Sequence, residues 1–352
     1  MTPWSSPEFD NHEQVSLFSD VRVGLRAVIA IHSTALGSAV GGTRIACYDS
    51  QADAVDDALR LSKAMSYKSA LAGLPFGGGK AVIIGDANAK KSDLLERYAG
   101  WVNSFGGRFC TGEDVGVSVA DCEALRKFCP FVVGTAMHGT DDTARCTALG
   151  VFYGMQAAIE TRLQRRDFDG LRVAVQGVGS VGWELSSLLW NAGARLTIAD
   201  VRQGKAHDAS RIFHALVAPP EIIHAADVDV FAPCALGKAL KENMVDSIKA
   251  KVIAGCANNQ LESRTAGEML RQKAILYSPD FVINAGGLIS AADQLATMVK
   301  TSFSTQESVN ERLQQIYFRL RVIFGRANVE GRCPEQIAED MALEHIQHPV
   351  LR

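Results

Sequence analysis

Three charged residues in the first third of the chain have the types and settings to do chemistry. Lys68 lies in Met65-Ser66-Tyr67-Lys68-Ser69-Ala70, Lys80 follows Gly77-Gly78-Gly79, and Asp114 closes Thr111-Gly112-Glu113-Asp114. Leu61, Met65 and Lys68 are spaced i, i+4, i+7. Lys68 therefore shares the apolar face of a helix, a costly place for an ammonium unless an anion meets it. Lys80 leads into an apolar strand, and the glycines before it would let a substrate approach the backbone. Two ammonium groups held together lower one pKa by repulsion, burial lowers it further, and a neutral lysine can act as a general base. Asp114, after a short strand at 108–110, can hold a substrate ammonium and relay protons. Spacing alone equally permits two surface lysines and a turn aspartate. Gly77–Lys80 is not a phosphate loop. The phosphate pattern needs glycine where Leu74 stands, then Ser or Thr and a helix where Ala81 and a strand follow.

A second centre lies at Val173-Ala174-Val175-Gln176-Gly177-Val178-Gly179-Ser180-Val181-Gly182. It reads as strand, G-x-G-x-x-G turn, then helix, with an acid, Asp200, ending the next strand. Gly177 permits the tight turn, Gly179 lets a pyrophosphate reach the backbone, and Gly182 lets the helix lie close to the sheet. Val178, Ser180 and Val181 complete the cradle at a helix N-terminus, which favours phosphate. Asp200 stands about 20 residues on, where an acid accepts a ribose hydroxyl and repels a 2′-phosphate. NAD is therefore favoured over NADP, although Arg202 stands close by.

These residues need a scaffold of two kinds. Before 138, strands are expected at 25–31 and 81–84, with helices at 52–72, 92–105 and 119–128. The polar stretch His138–Arg145 is a candidate hinge. From Thr147 the rhythm alternates: helix 148–165, strand 171–176, helix 181–192, strand 195–200, then strands at 228–231, 251–254 and 275–277. Such alternation builds a parallel sheet with helices on both faces. Residues 306–352 have helical period.

The 352 residues suit two domains, and the formal net charge of -3 comes without a basic stripe, so nucleic acid and anionic membrane are poor partners. The eight cysteines form no CxxC pair and read as buried thiols, with no metal expected. Met1–Gln14 has no apolar signal region, and no run of about 18 apolar residues occurs, so a soluble cytoplasmic protein is expected.

Over nearly its whole length the chain resembles the glutamate/leucine/phenylalanine/valine dehydrogenase family. The resemblance is carried by Gly41-Gly42-Thr43-Arg44, the Lys68 segment, Gly77–Lys80, Thr111–Asp114, Gly177–Gly182, Phe231-Ala232-Pro233-Cys234-Ala235, Asn258-Asn259-Gln260 and Asn284-Ala285-Gly286-Gly287. It implies an α/β fold of two domains with a cleft between them. The N-terminal substrate domain would span 1–138, joined by a returning helical segment from about 323 to 352. A doubly wound NAD domain of Rossmann type would span 139–322. The implied reaction is reversible, NAD-dependent oxidative deamination of an amino acid to its 2-oxo acid and ammonia, in a homo-oligomer, dimer or octamer. Lys68 and Asn259 would bind the substrate carboxylate, Lys80 would be the base, and Asp114 would handle the amine. Thr147 and Asn284 would line the nicotinamide.

Substrate choice falls on a few positions. Glutamate members carry lysine just before the glycine pair Gly41-Gly42, and this chain has Val40. A glutamate side chain left unpaired there would cost about 2–5 kcal/mol. Gly112, Leu288 and the small Ala291 match the phenylalanine type rather than the leucine type, which favours an aromatic side chain, Phe or Trp. A branched-chain enzyme is the alternative, and a non-catalytic NAD-binding regulator is the alternative of another class. The segment Asp141–Cys146 departs from the Ser/Pro-rich approach common in the family, and Arg145 within it bears on the nicotinamide end.

Overall fold

The computed structural model describes residues 2–89, 92–134, 140–235, 239–301 and 307–349. The chain divides into two compact units. Unit 1 comprises residues 1–140, 291–306 and 342–352, and unit 2 comprises 141–290 and 307–341.

Unit 1 is built on a mixed sheet. Its strands are β1 (Gln14–Asp20), β2 (Leu25–Ser33), β3 (Ala39–Val40), β4 (Thr43–Ala46), β5 (Gly77–Ile84) and β6 (Phe109–Cys110). The order is β1-β2-β5-β3-β6, with β4 also paired to β5. Helices α1 (Gln51–Leu71), α2 (Ser92–Asn103) and α3 (Val119–Arg126) complete it. Ser50 and Ser118 start α1 and α3 with capping boxes closed by Asp53 and Asp121. β2 is buried along almost its whole length because both sheet faces are covered. Val28, Ala30 and Val82 pack with Ala54, Ala58 and Leu59 of α1. The alternate residues Ala27, Ile29, Ile31 and Ile83 pack with Tyr98, Val102 and Leu125. β5 therefore runs through the middle of the unit, and Lys80 is its fourth residue.

Unit 2 carries β7 (Arg172–Gln176), β8 (Arg195–Ala199), β9 (Leu216–Val217), β10 (Val230–Pro233), β11 (Val252–Ile253) and β12 (Leu276–Tyr277). All pair in parallel in the order β12-β11-β10-β7-β8-β9. This is the doubly wound order, reversing between β7 and β10, where such sheets bind dinucleotides. The helices are α4 (Thr140–Leu163), α5 (Ser180–Asn191), α6 (Gln203–Phe213), α7 (Glu242–Val245), α8 (Arg264–Gln272), α9 (Asp280–Ile283), α10 (Gly286–Val299), α11 (Val309–Glu330) and α12 (Pro334–Gln347). α10 and α12 carry on into the parts of the chain grouped with unit 1.

Two expectations need correction. Of the proposed hinge, residues 138 and 139 lie outside the described residues, and the rest is helical, because α4 begins at Thr140 rather than near 148. No proline interrupts 140–163, so polar composition alone does not stop the helix. The grouping with unit 1 takes in 342–352 and 291–306, whereas the expected return began near 323.

A buried imidazole pair sits beneath α1. His12 and His32 meet edge to face at 4.9 Å between ring centroids. His32 Nδ1 lies 2.8 Å from Ser66 Oγ, and His12 Nε2 lies 3.0 Å from the Leu59 carbonyl. Burial first, then the charge on His12, push His32 from the ordinary 6.5 down to about 4. The folded state thus prefers the neutral ring, and its stability is lost as pH falls from about 6.5 towards 4. A shift of that size corresponds to roughly 3 kcal/mol. Unfolding midpoints measured across this window should fall steeply in the native protein and distinctly less steeply in His32→Asn. Parallel slopes would remove His32 as the cause.

Candidate active site

Lys80 is 5% exposed, and its Nζ lies 3.1 Å from Asp114 Oδ2. The same oxygen accepts from Arg44 Nε at 2.8 Å. Arg44 also donates to Asp57 Oδ2 at 2.9 Å, where the Tyr48 hydroxyl donates at 2.8 Å, and Arg60 pairs with the other Asp57 oxygen. The result is a line of alternating charge, Lys80–Asp114–Arg44–Asp57, drawn from β5, the 111–117 loop, β4 and α1. Burial pushes the Lys80 ammonium below the usual lysine range, and Arg44 adds to that, while Asp114 opposes it. Burial raises Asp114, but Lys80 and then Arg44 outweigh it, so the carboxylate sits below its usual range. Arg44 is thus a cation set against Lys80 that the sequence did not single out. Lys68 is half-buried in the last turn of α1. Arg44 and Asp57 went unread because one looked like part of a glycine motif and the other like an ordinary helix-surface acid.

The glycines around this line serve packing. Gly77, Gly78 and Gly79 belong to β5 itself, not to a loop before it. A Cβ on Gly77 would strike the Ser33 carbonyl, one on Gly78 the Ser66 backbone, and one on Gly79 would come within 2.7 Å of the Phe109 ring. Their lack of side chains admits protein atoms, which replaces the expectation that they admit substrate. Gly41 and Gly42 meet the Gly79 and Glu113 carbonyls in the same way. Val40 is buried in β3. At Gly112 the space is taken by Val133, whose Cγ2 would lie 2.8 Å from an added Cβ. Val133 therefore stands directly beside Gly112, and no motif singles it out. Beneath these strands a buried trio, Thr43, Tyr98 and Thr111, ties the start of β4 to α2 and to the segment after β6 through hydroxyl contacts of 2.5 and 2.6 Å.

In unit 2 the turn after β7 has the geometry a dinucleotide needs. Gly177 has φ 95°, a left-handed value that favours glycine. A Cβ on Gly182 would strike the Gly177 carbonyl, while one on Gly179 would meet nothing within 4 Å, so the space over that backbone is open. α5 starts at Ser180 with Gly179 as its cap, and no cap side chain takes up its first N–H groups. Val178 is buried, Ser180 is exposed and Val181 is half-buried. Asp200 accepts from Val178 N–H at 2.9 Å and from Arg202 N–H at 2.8 Å, so it braces the turn. Asn284 donates to the Cys256 carbonyl and to Asn258 Oδ1, and its own Oδ1 is buried without a partner. That unsatisfied acceptor and the open cradle fit a bound dinucleotide. Thr147 Oγ1 donates to the Thr143 carbonyl, and the helix packs so closely that a Cβ on Gly287 would lie 3.0 Å from that oxygen. Asn259 has φ 51° and is half-buried. Leu288 and Ala291 are half-buried on α10, and Arg145 is exposed on α4. Among the described residues no group of three or more His, Cys, Asp or Glu could hold a metal ion, and no helix is long and apolar enough to cross a membrane.

A doubly wound dinucleotide unit, in one chain with a unit whose buried lysine is held low in basicity, defines a nicotinamide-dependent dehydrogenase. Residues 12–130 match the dimerisation domain of Glu/Leu/Phe/Val dehydrogenases, and 139–218 with 201–332 match the Glutamate/Leucine/Phenylalanine/Valine dehydrogenase model. The chain belongs to this family, and it is an NAD-dependent enzyme of amino-acid oxidative deamination. It is 42% identical over 338 residues to the L-tryptophan dehydrogenase of Nostoc punctiforme, covering 96% of this chain and 94% of that one. The crystal structure of that enzyme superposes with a TM-score of 0.81, covering 96% of both chains. The leucine dehydrogenase of Thermoactinomyces intermedius is 40% identical over 341 residues, covering 96% of this chain and 91% of its own.

The charge line makes a signed prediction about Lys80, read by the pH dependence of its acetylation in mass spectrometry. Lys80 should titrate below the exposed lysines. Arg44→Met should raise its pKa and Asp114→Asn should lower it, each by about one unit. A Lys80 that titrates with the surface lysines would refute the arrangement.

Proposed function

We propose that this enzyme oxidises an aromatic L-amino acid, tryptophan or phenylalanine, and that Lys80 is its base. The buried Lys80–Asp114–Arg44 line carries this reading. Unit 1 is the substrate domain and unit 2 the NAD domain. Lys68 and Asn259 bind the substrate carboxylate. A dinucleotide held in unit 2 would supply the acceptor for the hydride of the substrate α-carbon. Lys80, whose affinity for protons is lowered by burial and by Arg44, accepts a proton from the water that attacks this carbon. Asp114, ionised at rest between Lys80 and Arg44, holds the substrate ammonium, takes its proton before the hydride leaves, and returns that proton to the departing nitrogen. Arg44, fixed by Asp57 and Tyr48, keeps the Asp114 carboxylate turned towards that nitrogen. Gly177–Gly182 and Asp200 hold the dinucleotide, and Thr147 and Asn284 orient its nicotinamide end.

The aromatic preference is supported by Val40, which offers a glutamate side chain no cation, by Leu288 and Ala291, and by the similarity to an L-tryptophan dehydrogenase. One observation favours an aliphatic substrate instead: Val133 stands directly beside Gly112. A difference of a few methylenes is worth only about 1–3 kcal/mol, so measured rates must decide. A homo-oligomer is supported by the match to a dimerisation domain. A cytoplasmic location is supported by the eight unpaired thiols.

Absorbance at 340 nm with NAD and the twenty amino acids should give its highest kcat/KM with tryptophan or phenylalanine. Leucine or valine ahead of both would overturn the substrate assignment. Lys80→Ala should lose turnover by about 10²-fold or more while NADH binding survives, and retained turnover would remove Lys80 from its role. Asp200→Ala should weaken NAD binding more than NADP binding, and equal losses would count against the ribose assignment.

A further inference from the structure

Two thiols stand side by side where the parallel sheet of unit 2 reverses its order. Cys234 directly follows β10, and Cys256 lies three residues beyond β11, the strand paired with it. The two segments remain bonded there, with Ala257 N–H donating to the Pro233 carbonyl at 2.9 Å. Neighbouring bonded segments run about 4.7–4.9 Å apart, within the reach of a disulfide. The Cys256 thiol points at the Cys234 carbonyl at 4.0 Å and also hydrogen-bonds the Cys234 sulfur. Both are free thiols, neither fully buried.

The pair is set into the dinucleotide turn. Cys234 N–H donates to the Gln176 carbonyl at 2.7 Å, immediately before Gly177. A Cβ on Gly182 would lie 3.3 Å from the Cys234 Cβ. On the other side, the Cys256 carbonyl accepts from Asn284 Nδ2 at 3.1 Å. A covalent bond between the two sulfurs would pull on both the glycine turn and the Asn284 support.

We propose that Cys234 and Cys256 are a peroxide-responsive dithiol whose reversible oxidation to a disulfide weakens dinucleotide binding. The roles of the two sulfurs follow from geometry. The Cys256 thiol is directed at the Cys234 carbonyl, which leaves Cys234 as the nucleophile and Cys256 as the resolving thiol. The Cys234 thiolate attacks one oxygen of hydrogen peroxide, the O–O bond breaks, and hydroxide leaves and takes up a proton to become water. Cys256 then attacks the sulfenic sulfur, loses its proton, and releases a second water as the S–S bond forms. Two thiols and one peroxide give one disulfide and two waters.

The inference rests on assigning Gly177–Gly182 and Asn284 to the dinucleotide, and the two can fail separately. The full-length enzyme is treated with hydrogen peroxide and digested, Cys234–Cys256 linkage is mapped by mass spectrometry, and NADH affinity is measured by fluorescence titration. The expected result is a linked peptide lighter by two hydrogen masses, NADH binding weakened at least about tenfold, and recovery with dithiothreitol. Cys256→Ser should show neither the link nor a recoverable loss, and Cys256→Ala stands in for it if that variant folds poorly. A linked peptide with unchanged NADH affinity would overturn the switch. Oxidation of Cys234 without any link in the native enzyme, or the same reversible loss in Cys256→Ser, would also overturn it. Failure of Asp200→Ala to weaken NADH would instead discredit the site assignment and leave the mapped disulfide standing.

Discussion

Lys80 is buried in the middle of β5, where an ammonium costs several kcal/mol unless an anion meets it. Asp114 meets it, but the same carboxylate oxygen is also bonded by Arg44. The anion is thus shared between two cations. This keeps the carboxylate ionised and denies Lys80 the full stabilisation of its positive charge. Much of unit 1 serves that arrangement. α1 brings Asp57 to hold Arg44, the Thr43–Tyr98–Thr111 trio anchors the strand ends, and the glycines of β5 let β2, β3 and α1 close around it.

Unit 2 solves a different problem mostly with backbone. Its turn presents unsatisfied N–H groups at the start of α5, and Asp200 braces that turn from the neighbouring strand end. Cys234 is bonded into that turn through Gln176, and Cys256 to Asn284, whose Oδ1 is buried with no partner among the described residues.

Many of the elements could be read from the residues. The strands at 25–33, 172–176 and 195–199 and the helices α1, α2, α3 and α5 were legible from apolar periodicity, and in α2, α3 and α5 the ends fell within two residues. Short strands such as β3, β6, β9 and β12 have only two residues each. Periodicity cannot define an element of that length, since two positions exhaust its period. The start of α4 was missed because polar residues were taken as a break, although no proline or strained backbone enforced one.

The sequence by itself determined the chemical inventory: the lysines, Asp114, the G-x-G-x-x-G turn with its acid, and an apolar Val40 in place of a cation. Such signals are local, fixed by residue type and spacing within one turn or strand. Only the tertiary structure decided which charges touch. It set Arg44 and Lys80 on one oxygen of Asp114, placed Val133 beside Gly112, and brought Cys234 beside Cys256 across 22 positions of chain. Contacts of that kind depend on strand order and helix packing, which many sequences reach with different residues, so spacing along the chain carries no record of them.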